Sequence, residues 1–244
     1  MANDLSHTTL DFPSLQEQKQ YWDARWDRTK MPNDWALRRA EEILDLLHAV
    51  PCKDGNILDL GCGTGWFAEK LSRLGRVTGI DLSEGAIAAA KVRYPDIQFI
   101  AGNLFDMTLA TETFDLVVCQ EVIAHVPDQQ RLLNRIADVM KPGGYLAITT
   151  VNKFVIDRVN CGPDPREHIK QWLTMKDFKQ LLRHHFRVLR TTTVLPMGDR
   201  GILRLLNASK IEALCNHLFG VKRIERLKER AGFGYTMVAL AQKQ

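Results

Sequence analysis

Short apolar runs alternate with amphipathic stretches through the middle of the chain. Residues 56–60, with Ile57-Leu58-Asp59-Leu60, predict a first strand. Trp66, Phe67, Leu71 and Leu74 then recur at helical spacing and predict a helix over 65–74. Runs at 76–81, 97–101 and 114–119 predict strands two, three and four. Between strands two and three a helix is predicted from about Glu84 to Tyr94, capped by Ser83. A further helix from Gln129 to Met140 turns Leu132, Leu133, Ile136 and Val139 inward. Lys141-Pro142-Gly143-Gly144 is predicted to break it before strand five at 145–150. Apolar strands alternating with helices predict an α/β protein with a parallel sheet covered on both faces.

The flanks follow other patterns. Before Met31, Tyr21, Trp22 and Trp26 lie at helical spacing. Asp34 is predicted to cap a second helix with Leu37, Ile43, Leu44 and Leu47 on its apolar side. Beyond residue 150 a helix runs from Thr174 to about His184, strand six from Phe186 to Leu195, and a last strand from Gly234 to Ala241. Two helices are predicted within 200–230, the second on Ile211, Leu214 and Leu218. About forty residues therefore separate the last two strands, and connections that long are usually structured or functional. This insertion either shapes a ligand pocket or makes a dimer contact.

Composition narrows the class. The chain of 244 residues is 45% hydrophobic and 25% charged, enough for one domain with a packed core. No apolar run approaches ~18 residues, so no membrane span is predicted, and the N-terminal residues predict no secretory signal. The five cysteines form neither a disulfide framework nor metal-ligand pairs, which fits reduced thiols in a cytoplasmic protein. A formal charge of +4 is mild. The basic cluster at Lys222, Arg223, Arg226, Lys228 and Arg230 is interrupted by Glu225 and Glu229, as on a solvated helix face. Nucleic acid is not expected as a partner.

The chemistry concentrates in Asn56–Gly65, NILDLGCGTG. A strand runs into glycines at alternate positions, Gly61, Gly63 and Gly65, and a helix follows. Glycine lets backbone pass close under a ligand, and the helix start offers free N–H groups. Asp81 closes strand two, where a carboxylate can accept hydrogen bonds from both hydroxyls of a ribose. Dinucleotide sites place an acid similarly, so turn plus acid leaves NAD and other adenosine ligands open. The spacing is G-C-G-T-G rather than G-x-G-x-x-G, and the bulky Trp66 follows directly where a pyrophosphate would need room. Both favour a ligand without phosphates. Such sheets bind ligands beyond the strand ends, which places Asp81, Asn103 and Gln120 on one rim with the glycine turn.

From about Asn56 to Thr150 the chain resembles the class I S-adenosylmethionine (SAM) methyltransferases. It is most similar to the small-molecule group that includes the ubiquinone-biosynthesis O-methyltransferases. The pieces that carry the resemblance are ILDLGCGTG, VTGIDLS, IQFIAGNLFDM, FDLVVCQEVIAHVPD and MKPGGYLAITT, in that order. The resemblance implies a Rossmann-like doubly wound sheet of order 3-2-1-4-5-7-6 with one antiparallel strand. It implies a single methyltransferase domain over 1–244: an N-terminal helical lid to residue 50, a SAM-binding core over 51–150, and an acceptor side from 151 that carries the insertion at about 197–233. The implied cofactor is SAM, released as S-adenosylhomocysteine (SAH).

By the same resemblance, Gly61 and Gly63 lie against the methionine portion of SAM. Asp59 braces the turn or helps fix the ammonium through water, and Asp81 holds the ribose. Leu82 packs on the adenine. Asn103, where the family usually has Asp, bonds the adenine amino group; an Asx-turn is its other reading. The Leu104 N–H meets a ring nitrogen and the Gln120 carbonyl the ammonium. Arg25, Arg38 or Arg39 is left to meet the SAM carboxylate. The implied reaction is methyl transfer to a small-molecule acceptor, foremost a hydroxyl oxygen, with N- or C-methylation as alternatives. A nucleic-acid or protein methyltransferase ranks next, although Cys119-Gln120-Glu121-Val122 lacks the DPPY- or NPPY-like tetrad of the exocyclic-amine enzymes. A SAM-binding module without catalysis is the remaining class.

A hydroxyl acceptor usually needs a base, and histidine suits that task. His125 lies beyond strand four, where a hydrogen-bonding role in its loop is the competing reading. His168 lies beyond strand five, where a surface helix start competes. No metal site is assigned. The aromatic N-terminus forms a lid over SAM or simply covers the sheet. A monomer or a homodimer is expected.

Overall fold

The computed structural model describes residues 12–28, 31–51, 54–159, 169–207 and 220–244. Seven strands form one sheet of order β3-β2-β1-β4-β5-β7-β6. In chain order they are β1 (Gly55–Leu60), β2 (Gly75–Asp81), β3 (Gln98–Ala101), β4 (Phe114–Gln120), β5 (Met140–Val151), β6 (Phe186–Pro196) and β7 (Gly234–Lys243). β1 pairs in parallel with β2 and with β4, and β7 runs antiparallel between β5 and β6. Sheet order and the antiparallel strand match the expectation from sequence.

Side chains alternate across the sheet, so each strand feeds two cores. Leu58, Leu60, Val117 and Cys119 face helices α5 (Gln129–Val139) and α7 (Met175–Leu182), where Leu133, Ile136, Phe178 and Leu182 are buried. Ile57, Leu116 and Val118 face α2 (Asp34–Leu47), α3 (Trp66–Leu71) and α4 (Glu84–Arg93) through Ile43, Phe67, Leu71 and Ile87. Ser83, Asp128 and Thr174 cap α4, α5 and α7 by accepting backbone N–H groups, which fixes where each helix leaves its strand. α1 (Leu15–Arg28) lies against α4. α6 (Lys153–Ile156) and α8 (Gly201–Leu206) are single short turns, and α9 (Val221–Arg230) completes the insertion.

Three details differ from the sequence expectation. Asn33, not Asp34, caps α2; its Oδ1 accepts the Ala36 N–H at 2.9 Å. α3 stops at Leu71, because Ser72–Leu74 turn the chain into β2. Residues 141–144 do not separate α5 from the strand but form the irregular start of β5. There the Lys141 ammonium holds both oxygens of Asp115 on β4, each at 2.8 Å. In the insertion, α8 and α9 are described, whereas Ile211, Leu214 and Leu218 lie outside the described residues.

Candidate functional site

Strand order reverses between β1 and β4, and a cavity of about 660 Å³ opens beyond their C-terminal ends. The glycine turn forms part of its floor. Gly61 (φ +76°), Gly63 (φ +52°) and Gly65 (φ +78°) are left-handed, a conformation other residues adopt at a cost. Space also demands glycine: a Cβ on Gly61 would strike Val122, and one on Gly63 the Trp26 ring.

Two carboxylates lie beside this turn. Asp59 alternates with Leu58 and Leu60 along β1 and is 1% exposed. Its Oδ2 is buried and finds no hydrogen-bond partner among the described residues. Asp81 closes β2 and is held by backbone donors: Gly63 N–H donates to Oδ2 at 2.8 Å and Ser83 N–H to Oδ1 at 2.9 Å. Burial pushes the Asp59 carboxyl up to about 7, and the neighbouring Asp81 charge adds to it. Burial likewise pushes Asp81 up to about 6, against the pull of the Ser83 and Gly63 N–H groups. Two desolvated carboxyls with spare acceptor capacity suit a ligand that brings positive charge and hydroxyl donors.

The remaining predicted cofactor residues line the same cavity. Leu82 lies at the end of β2, and Asn103 and the buried Leu104 lie beyond β3. Asn103 makes an Asx-turn: its Oδ1 accepts the Phe105 N–H at 3.2 Å, and its Nδ2 donates to Asp106 at 2.9 Å. Gln120 ends β4. Beyond it Glu121 is left-handed (φ +55°). It is held there because its N–H donates to the Thr149 hydroxyl at 3.1 Å, while that hydroxyl donates back to Glu121 Oε1 at 2.8 Å.

Of the three arginines raised for the SAM carboxylate, Arg38 is committed elsewhere. It donates to Glu42 at 3.2 Å and to both oxygens of Glu229 on α9, at 2.9 and 2.8 Å. Arg25 and Arg39 line the cavity. The Arg39 Nε is buried without a hydrogen bond among the described residues and lies 3.8 Å from Glu121 Oε1.

His125 ends a 3-10 turn, Ile123–His125, and also lines the cavity. Its Nδ1 lies 3.0 Å from the Ile169 carbonyl oxygen. A carbonyl only accepts, so Nδ1 carries the proton, and in the neutral ring Nε2 keeps its lone pair. The Trp22 ring meets the imidazole edge-on with centroids 5.1 Å apart. The Ile169 strand of backbone is itself fixed: Gln171 donates to the Val126 and Pro127 carbonyls at 3.0 and 2.8 Å. His168, the other candidate base, lies outside the described residues.

α1 and α2 roof the cavity with Trp22, Trp26, Trp35 and Arg39. Asp23 pins α1 down by accepting from the Ser83 hydroxyl at 2.5 Å and the Gly85 N–H at 3.3 Å. Sequence reasoning missed Glu121, Arg131, Trp172 and Tyr235 as lining residues. Only Glu121 had a usable signal, its place directly after Gln120. Trp172 arrives from a loop whose course no motif announces, and Tyr235 from the start of β7.

Fold and cavity define a doubly wound domain with a cavity at its switch point. Residues 58–148 match the family described as a methyltransferase domain. That segment is thus similar to the methyltransferase domains of proteins such as a probable S-adenosylmethionine-dependent methyltransferase of Mycolicibacterium smegmatis, 34% identical over 123 residues, covering 50% of this chain and 47% of that protein. A ubiquinone biosynthesis O-methyltransferase of Coxiella burnetii (strain Dugway 5J108-111) is 36% identical over 109 residues, covering 43% of this chain and 47% of that protein. The protein of the same name from Bradyrhizobium sp. (strain ORS 278) is 39% identical over 150 residues, covering 57% and 56%. The chain thus spans about half the length of the curated relatives it matches. Among solved structures, the (4+2)-cyclase SpnF superposes with TM-score 0.67 at 18% identity, covering 96% of this chain and 98% of that one. The 1,6-didemethyltoxoflavin-N1-methyltransferase of Burkholderia thailandensis, with bound 1,6-didemethyltoxoflavin and SAH, gives 0.63 at 17% identity, covering 96% and 93%. At that identity both likenesses speak for the fold alone.

Proposed function

We propose that this chain transfers the methyl group of SAM to a small molecule, at a hydroxyl oxygen. The observation that supports it most is that one cavity of about 660 Å³, roofed by α1 and α2, is lined both by the Asp59–Asp81 pair and by His125. That volume lies within the range of small-ligand pockets, roughly 300–1,000 Å³, and suits a cofactor with a small acceptor better than a polymer. In this reading Asp81 takes the ribose hydroxyls, and Gly61 and Gly63 lie under the methionine portion. Asp59 and the Gln120 carbonyl serve the ammonium. Leu82, Asn103 and the Leu104 N–H frame the adenine. Arg39, with its Nε unbonded, takes the carboxylate.

Bound SAM supplies an electrophilic methyl on a sulfonium, so the protein's own task is to orient the acceptor, exclude water and accept a proton. His125 is built for the last step, because the Ile169 carbonyl fixes the tautomer that leaves Nε2 as the acceptor. His168 remains the second candidate for the same role.

The test is conversion of SAM to SAH with a panel of small phenols, alcohols and amines, alongside bulk tRNA and protein. SAH formed only with hydroxyl compounds is the expected result. Turnover confined to amines would move the acceptor atom to nitrogen, and turnover confined to the polymers would overturn the small-molecule reading. Binding of NAD in preference to SAM would overturn the cofactor role of the whole constellation.

A further inference from the structure

The roof helix α1 carries a donor that the protein itself leaves unused. Trp26 lines the cavity, and its ring occupies the space that a Cβ on Gly63 would need. It therefore lies directly on the glycine turn. Its indole Nε1 is buried and has no hydrogen-bond partner among the described residues. Buried donors are almost always paired, and indole N–H groups in particular are placed where an acceptor can reach them. The helix around it has an unfinished interface. None of the residues of α1 is fully buried, although Trp22, Arg25 and Trp26 all face the cavity. Polar contacts tie α1 to the far side of the cofactor turn, through Asp23 to Ser83 and Gly85 and through Lys19 to Glu84 at 3.2 Å. Trp22 meanwhile rests on His125. One helix thus touches the glycine turn, the loop after Asp81 and the candidate base.

We propose that Trp26 is a cofactor-binding residue: its indole N–H donates a hydrogen bond to an oxygen of bound SAM. The cofactor then completes the packing of α1 and holds it over the cleft. This rests on SAM being the ligand of the cleft. Two oxygen sources fit the chemistry, the ribose and the amino-acid carboxylate. Either way, occupancy of the cofactor site and closure of the acceptor site are one event, because the same helix carries Trp22 onto His125.

Calorimetric binding of SAH to the wild-type chain and to Trp26→Phe tests the hydrogen bond, since Phe keeps a ring and loses the donor. The expected result is a Kd raised roughly three- to tenfold, the range of one hydrogen bond. Adenosine, which lacks the amino-acid group, identifies the oxygen: a penalty that persists with adenosine assigns the ribose, and one that vanishes assigns the carboxylate. An independent reading on the wild-type chain is trypsin cleavage after Arg25 and Arg28, which SAH should slow. A Trp26→Phe chain that binds SAH within twofold of wild type, or cleavage rates that SAH leaves unchanged, would overturn the role of Trp26 while leaving SAM as the ligand. A wild-type chain that binds neither SAM nor SAH would overturn both.

Discussion

Asp59→Asn should stabilise the ligand-free chain while weakening its hold on SAM. Asp59 is 1% exposed, its Oδ2 has no partner, and burial with the Asp81 charge lifts it from 3.8 to about 7. Between pH 4 and 7 the unfolded chain has released this proton while the folded chain still holds it. The folded state then binds more protons, so its stability falls as pH rises. Above pH 7 the loss is complete. From 3.8 to about 7, at about 1.36 kcal/mol per pH unit, it amounts to roughly 4 kcal/mol. Asp81, lifted to about 6, adds a loss of the same sign that is complete above that pH. Asparagine has nearly the same shape and never ionises. Its amide brings a donor with no acceptor in place, at ~1–2 kcal/mol, so the net gain for Asp59→Asn at pH 8 should be about 2–3 kcal/mol. Near pH 5 most of the gain should be gone, because wild-type Asp59 is then protonated in the fold. Urea unfolding of both chains from pH 5 to 8 measures this directly. SAM affinity of the wild-type chain should rise over the same interval, as the carboxylate that favours its positive charge ionises, and Asp59→Asn should flatten that rise. A wild-type stability that is level from pH 5 to 8, or a variant no more stable at pH 8, would refute the argument.

Arg38→Met should cost about 2–3 kcal/mol in urea unfolding, because it strands the Glu229 carboxylate, whose side chain is only 8% exposed. Arg38→Met combined with Glu229→Leu should recover most of that loss, and a double variant as unstable as the single one would count against a desolvated pair. His125→Ala and His168→Ala separate the two candidate bases. The true base should lower turnover with a hydroxyl acceptor by ~100-fold or more while changing the Kd for SAM less than threefold; equal and slight effects from both would remove histidine as the base.

What could be read from sequence divides along physical lines. The strands, the glycine turn and the place of Asp81 at the end of β2 were legible because period, φ requirement and spacing are local properties, whereas the strand order came only from the resemblance. Glu121 was not, because its left-handed backbone depends on Thr149, which the fold supplies from β5. Arg38 looked as available as Arg39 until α9 placed Glu229 against it. The same holds for the KPGG segment. Its residues break helices, yet at the end of a sheet with Asp115 beside Lys141 they start a strand. Where a residue's role is settled by a partner distant in the chain, pattern alone misassigned it or left it open.

The cavity itself is split in the same way, and this bears on which relatives can inform on which half. Asp59, Gly61, Asp81, Leu82, Asn103, Leu104 and Gln120 fall at or just beyond successive strand ends inside the matched residues 58–148. Trp22, Trp35, Arg39, Trp172 and Tyr235 fall outside them. The family match therefore covers the residues proposed for the cofactor, whereas the roof, the chain beyond β5 and the start of β7 lie outside it. His125 belongs to both halves: it lies within the matched segment, yet its proton is positioned by Ile169 and its face by Trp22. A proposed base held from outside the matched segment can be retuned by changes there alone. Replacements at Gln171, which fixes the backbone that carries the Ile169 carbonyl, should accordingly move turnover without moving SAM affinity.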